Sequence, residues 1–302
     1  MPTIQVENLT KRYGATTAIQ DLAFSVDKGE IVGFLGPNGA GKSTTMRILA
    51  GSLGATEGRA LVGGIDVFDD PRKVKQMVGY LPETPPLYTD MTVRSYLRFC
   101  ARVKHASEPR KAVERVIEQV GLSEVAHRLI DHLSKGFRQR VGIAQALVHE
   151  PKVLILDEPA SGLDPAQRVE IRELVKELSA GEVTVVLSTH VLPEVEAICK
   201  RVIIIHQGRI VAQDLVENLE GGGHSIRVHV ARPVDDAEAK LGAIGGVTAV
   251  ARSDGGVFAV EASADVREQV ARVAVDWGLL ELGSTRGLED VFLKLTADEE
   301  PA

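Results

Sequence analysis

"EIVGFLGPNGAGKSTTMRILAG" (residues 30–51) decides the fold. Its first half is a short apolar run, Ile31–Leu35, of the length and character of a buried strand. A glycine-rich turn follows without a break, and residues 42–51 then take up helical spacing. The turn fits G-x-x-x-x-G-K-[ST] at Gly36, Gly41, Lys42 and Ser43. Glycines let the backbone wrap a phosphate closely, and successive N–H groups line the resulting cavity. Lys42 is placed to reach the outer phosphates of a nucleotide, and the Ser43 hydroxyl to hold Mg²⁺. A strand before and a helix after are the context this pattern requires.

Working outward, the first thirty residues read as strands. "TIQVENL" (3–9) alternates, and "LAFSVD" (22–27) puts Leu22, Phe24 and Val26 on one face. Residues 92–130 have apolar spacing near 3.6, opened by Thr92 as a cap and punctuated by Pro109 and Gly121, so a helical insertion is expected. Strand–helix alternation resumes with "KVLILD" (152–157), "AQRVEIRELVKELSA" (166–180), "EVTVVLS" (182–188), "VLPEVEAIC" (191–199) and "RVIIIHQG" (201–208). That alternation predicts a parallel sheet with helices on its faces. "EGGGH" (220–224) is the candidate linker. Beyond it the expected order is β-α-β-β-α-β, with a hairpin around Asp254, Gly255 and Gly256, then a last helix "LEDVFLKL" (288–295). This order matches the split βαβ unit, a small ferredoxin-like α+β domain.

Composition is that of a globular protein: 302 residues, 44% apolar and 25% charged. No apolar run approaches the roughly 18 residues of a membrane helix, and the N-terminus lacks a signal-peptide layout. A cytoplasmic protein is expected. Cys100 and Cys199 sit in no metal-ligand cluster and read as reduced, partly buried thiols. A net charge of −7 gives no basic footprint for nucleic acid, and no nucleic-acid partner is expected.

Two further strands end in polar tips. "KVLILDEPASGLDP" (152–165) finishes on Asp157 and Glu158. Asp157 is placed to orient the hydration shell of Mg²⁺, and Glu158 to polarise an attacking water. A lone Asp-Glu pair is more often a cap or a surface turn, but the phosphate loop favours the chemical reading. "VVLSTH" (185–190) ends on His190, a structural residue in most such settings, yet one that could reach a γ-phosphate from the same sheet edge. "LSKGFRQR" (133–140) starts a basic amphipathic helix with Ser134 as N-cap and Phe137, Val141, Ala144 and Val148 on the expected buried face. It is a capped helix start that could also hold an anion.

Residues 2–219 together resemble the ATP-binding subunit of ATP-binding cassette (ABC) transporters. The order of phosphate loop, helical insertion, signature turn, Walker B strand, D-loop and switch histidine is that family's. The resemblance implies an α/β P-loop ATPase over residues 1–220, a helical subdomain at about 84–148, and an accessory domain over 221–302. It implies that Tyr13 stacks on adenine. Gly36, Pro37, Asn38, Gly39, Ala40, Gly41, Lys42, Ser43 and Thr44 would form the Walker A loop, and Ser134, Gly136 and the D-loop's Asp164 would complete the ATP site. Ser43, Asp157 and the Q-loop's Glu83 would serve Mg²⁺, while Glu158, His190 and Lys42 would carry catalysis. Two positions depart from the family pattern. Glu83 replaces a glutamine and cannot donate a hydrogen bond while ionised, and the signature "LSKGF" carries Lys135 and Phe137 where the family has Gly and Gln.

"GYLPETPPLYTDMTV", "LSKGFRQRVGIAQAL" and "LEDVFLKL" narrow the likeness to ABC-2 type exporters. The expected partners are a second ATPase subunit, taken as a second copy, and separately encoded permease subunits that hold the chain on the inner face of the membrane. Two other readings stand beside this one: a soluble ABC ATPase acting on ribosomes or DNA, and a regulatory cassette without useful hydrolysis. A single cassette without sustained heptads disfavours the first, and Glu158 with His190 disfavours the second.

Overall fold

Alternating apolar residues open the chain as an antiparallel pair, β1 (Ile4–Tyr13) and β2 (Thr16–Val26), with Ile4 opposite Val26. Leu22, Phe24 and Val26 are buried together on one face, as their spacing requires. In this computed structural model the described residues are 2–179, 183–220, 224–253, 255–284, 288, 292 and 295. They form two compact units, Met1–Gln213 and Asp214–Ala302.

In the first unit, β3 (Ile31–Leu35) and α1 (Lys42–Leu49) flank the glycine-rich turn. β4 (Glu57–Val62) and β5 (Ile65–Asp66) complete a four-stranded sheet in the order β2-β1-β4-β5. α2 (Pro71–Met77) and β6 (Val78–Leu81) follow. The helical insertion contains α3 (Val93–Val103), α4 (Pro109–Gln119) and α5 (Lys135–Leu147). Both expected caps are present. The Ser95 N–H donates to Thr92 Oγ1 and the Phe137 N–H to Ser134 Oγ, each at 3.3 Å. Val141, Ala144 and Val148 are fully buried, but Phe137 is 37% exposed and does not belong to the buried face. It stands in the first helical turn, where Ser134 and Lys135 also face solvent and Gly136 is the buried residue.

β7 (Val153–Asp157), α6 (Pro165–Ser179), β8 (Thr184–Thr189), α7 (Leu192–Ile198), β9 (Arg201–His206) and β10 (Arg209–Leu215) complete the alternation, and α8 (Val216–Glu220) opens the second unit. Six strands form one sheet, β10-β9-β3-β8-β7-β6, parallel from β9 through β6. Every residue of β7 and β8 is buried, the mark of central strands covered on both faces. Each such aliphatic side chain contributes about 1.5–3 kcal/mol by leaving water. Strand register aligns the functional ends: Leu35 pairs with Thr189, Asp157 with Ser188, and Leu81 with Leu156. The loops after β3, β6, β7 and β8 therefore open on one sheet edge, where ligands of parallel sheets bind. Cys100 is half-buried and Cys199 buried, both free, and burial pushes the Cys199 thiol up to about 12.

The second unit contains β11 (His224–Val230), α9 (Ala237–Gly242), β12 (Val247–Ser253), β13 (Val257–Ala262), α10 (Arg267–Val275) and β14 (Leu279–Ser284). Its sheet runs β12-β13-β11-β14, antiparallel throughout. Ile226, Val228, Phe258, Val260, Leu241, Val270 and Trp277 build its core. The glycines at 221–223, the hairpin residue Asp254 and most of the last helix read at 288–295 lie outside the described residues.

Candidate active site

The turn after β3 is shaped by what its glycines make possible. A Cβ at Gly36 would collide with the Ile205 carbonyl, and one at Gly41 with the Ala18 carbonyl and Ile19. Gly39 and Gly41 have φ of 81° and 108°, which side chains rarely adopt. The Gly208 N–H donates to Ala40 O at 3.0 Å, pinning the turn to the loop after β9. Lys42 lies back over this cradle. Its Nζ donates to Gly36 O at 2.7 Å and Pro37 O at 3.1 Å, and stands 3.5 Å from Glu158 Oε1. Both charged side chains are nearly buried, so each offsets the other's desolvation.

Asp157 ends β7 and receives two hydroxyls: Ser43 Oγ at 3.2 Å and Ser188 Oγ at 2.9 Å, both on Oδ1. Burial raises its pKa, the two hydroxyls oppose that, and the charges of Glu158 and Glu83 raise it further. A buried carboxylate beside two others is a site short of positive charge. Ser43 and Asp157 offer hard oxygen donors at one point, with the exposed Glu83 in the loop after β6 close enough to act on Asp157 electrostatically. This donor set fits Mg²⁺.

Glu158 turns the chain with φ 51°, and its N–H is held by Ser188 O at 2.9 Å. Its carboxylate spans two partners, Lys42 on Oε1 and His190 Nδ1 on Oε2 at 2.9 Å. His190 is aligned by its own strand end. Thr189 Oγ1 accepts from the Val191 N–H at 3.0 Å and donates to Glu194 Oε2 at 2.8 Å, which fixes the turn that carries the imidazole. Beyond Glu158, Asp164 Oδ1 caps α6 by accepting from the Gln167 N–H at 2.9 Å, and Arg168 Nε donates to Leu163 O at 3.1 Å.

The structure thus gathers Gly36–Thr44, Asp157, Glu158 and His190 at one edge. Tyr13 ends β1 about half-exposed, with Lys11 Nζ over its ring, 5.2 Å from the centroid. Ser134 and Gly136 are not part of this gathering. Their contacts within the chain run to Phe137 and Gln167. Ser188 and Thr189 are site residues outside the sequence motifs, although two hydroxyls after the apolar run Val185–Leu187 were the available signal.

The family described as "ABC transporter" matches residues 19–161. An uncharacterised ABC transporter ATP-binding protein, YdbJ of Bacillus subtilis (strain 168), is 36% identical over 98% of this chain and 96% of its own length. The daunorubicin resistance ATP-binding protein DrrA2 of Streptomyces coeruleorubidus is 35% identical over 97% of this chain and 94% of its own. Among solved structures, an ATP-binding cassette described as dimeric, in a post-hydrolysis state with ADP and Pi, superposes with a TM-score of 0.65 at 25% identity, covering 70% of this chain and 98% of that one.

Proposed function

The chain belongs to the ATP-binding proteins of ABC transporters and is an ATPase, and we propose that it powers a membrane exporter of the ABC-2 type. Two copies close head to tail, each ATP lying between the Gly36–Thr44 loop of one and the Ser134–Gly136 turn of the other. The observation that carries this reading is Glu158 held between Lys42 and His190 beside the phosphate loop. The signature turn, with Ser134 and Lys135 exposed and its contacts running to Phe137 and Gln167 rather than to the phosphate loop, supports a site completed by a second chain.

Hydrolysis in such a site is chiefly positioning and charge neutralisation. Tyr13 stacks on adenine, and the N–H groups of residues 36–44 hold the phosphates. Lys42 leaves its loop carbonyls for the outer phosphates, which also frees Glu158 to polarise water. His190 orients Glu158 and donates to the γ-phosphate. Ser43 and Asp157 would hold Mg²⁺, with Glu83 as a further ligand, and the ion would supply neutralisation of the phosphate charge there. Asp164 and the D-loop turn face the second copy.

Among the described residues no helix is long and apolar enough to cross a membrane. In this reading the chain takes its membrane position, on the inner face, from separately encoded permease subunits. The likeness to a daunorubicin resistance protein supports export as the direction. Residues 221–302, read as a ferredoxin-like domain, act as an accessory dimerisation or regulatory part. The decisive test is Glu158→Gln. It keeps ATP binding and loses turnover; unchanged steady-state ATPase activity sinks the assignment. Co-purification with a polytopic membrane protein tests the exporter reading.

A further inference from the structure

Lys135 is one of the two residues that depart from the family's signature, and its side chain has a definite place. Its ammonium occupies the space that a Cβ on Gly162 would need. Gly162 lies in the D-loop turn with φ 65°, closed by the Leu163 N–H donating to Ala160 O at 3.2 Å. The next residue of the signature makes a parallel contact. A Cβ on Gly136 would stand 2.8 Å from Gln167 Cδ, and Gln167 is the residue whose N–H is capped by Asp164. One turn further along α5, Arg140 donates to Glu170 Oε2 at 2.6 Å and to Val120 O at 2.8 Å. Three successive contacts therefore seam the start of α5 to the D-loop and the first turns of α6, within one chain.

We propose that Lys135 is a positioning residue that couples the signature turn to the D-loop of its own chain, so that both are presented to a second copy as one surface. The inference rests on the dimeric ATPase reading above and adds to it. It gives Lys135 a role other than a contact with the γ-phosphate. The lysine stem is long enough to cross from the first turn of α5 to a glycine that leaves room for it, and the Gly136–Gln167 contact keeps the two backbones close. Gly162 is needed both for its left-handed φ and for the space the ammonium fills.

The test uses the full chain carrying Glu158→Gln, which traps ATP-bound dimers, with ATP–Mg²⁺ as the probe and sedimentation as the readout. Lys135→Ala is expected to weaken ATP-driven dimerisation about 5-fold while leaving ATP affinity of the monomer unaltered. Gly162→Ala is expected to weaken it about 10-fold or more, and the combined variant to be no worse than Gly162→Ala alone. In chains with Glu158 restored, Lys135→Ala makes specific activity depend on protein concentration. Because Lys135 is exposed and alanine suits a helix, this variant folds and decides the matter even where Gly162→Ala does not. Dimerisation unchanged by Lys135→Ala overturns the coupling, as do additive effects of the two substitutions. A parent protein that forms no dimers with ATP overturns the dimeric reading itself, and the coupling with it.

Discussion

The two units bury different things. Every buried charged or polar side chain among the described residues, from Thr10 to Thr189, belongs to the first unit: Lys42, Asp157, Glu158, Ser188 and Thr189 stand at its sheet edge. The core of the second unit is apolar, from Ile226 and Val228 through Phe258 to Trp277. Burying a charge costs free energy unless it is paired, so a domain bears that cost where the charges have work to do. The first unit accepts it at a site of phosphate chemistry, whereas the second gains plain packing. Glu158→Gln is the largest expected breach of this contrast. It removes one buried negative charge from the first unit at almost unchanged volume, and turnover falls at least 10²-fold in a single-turnover or steady-state assay, the size of a general-base loss.

The converse breach lies in the second unit. Phe258 is fully buried and its ring centroid is 6.4 Å from that of Trp277. Phe258→Ala is expected to destabilise this unit by about 3–5 kcal/mol. Trp277 is the chain's one tryptophan, so its fluorescence reports the second unit alone during urea unfolding. A fluorescence midpoint that does not move shows that the apolar core is not what holds this unit together.

A smaller effect separates a buried group with chemistry to perform from one without. His149 follows α5, with Nε2 3.1 Å from Val78 O and Nδ1 buried without a partner. Burial, then the charge of Lys104, lower its pKa to about 4, against the Val78 hydrogen bond. The unfolded chain takes up this proton near pH 6.5 and the folded chain only near pH 4, so stability is lost as pH falls through that window. The full window corresponds to about 3 kcal/mol, and partial solvent contact reduces it to about 2. His149→Gln, whose amide still reaches Val78, is expected to show a smaller loss between urea titrations at pH 7.5 and 4.5. An equal loss in both proteins excludes His149 as its source.

Legibility in the sequence divides along the same line. Gly36–Ser43, Asp157, Glu158 and His190 stand out because each is a polar tip on an apolar strand, and register alone brings such tips level. Ser188 was hidden by being one hydroxyl among the residues of a strand, and its value depends on Asp157 being its neighbour across the sheet. β4, β5 and β6 gave little signal. β4 is exposed over its first half and β6 has four residues, too few for a period to show. Phe137 was misplaced because helical spacing gives a face but not which residue of the first turn is covered: Gly136 is buried there and Phe137 is not. Lys135 could not be directed from sequence at all, since its target is a turn twenty-seven residues on that becomes adjacent only through the packing of α5 beside α6.

The smallest effect sharpens the contrast within the helical insertion itself. Thr92 and Ser134 are both N-caps, each accepting an N–H from three residues on at 3.3 Å. Replacing either by alanine removes one capping bond and costs about 1 kcal/mol of stability. On stability grounds alone the two substitutions are equivalent, and thermal or urea unfolding should place them together. Their helices differ in what the first turn faces. α3 begins next to Ala126 and Arg128, whose carbonyls take the N–H groups of Arg94 and Val93, so its cap is closed off by the chain. α5 begins at the exposed signature turn, where Ser134 Oγ and the free N–H groups of the first turn remain available to an anion. Ser134→Ala should therefore lower ATP turnover several-fold beyond any stability loss, and Thr92→Ala should not. Equal turnover in the two variants would reduce Ser134 to a cap and remove the signature turn from the ATP site.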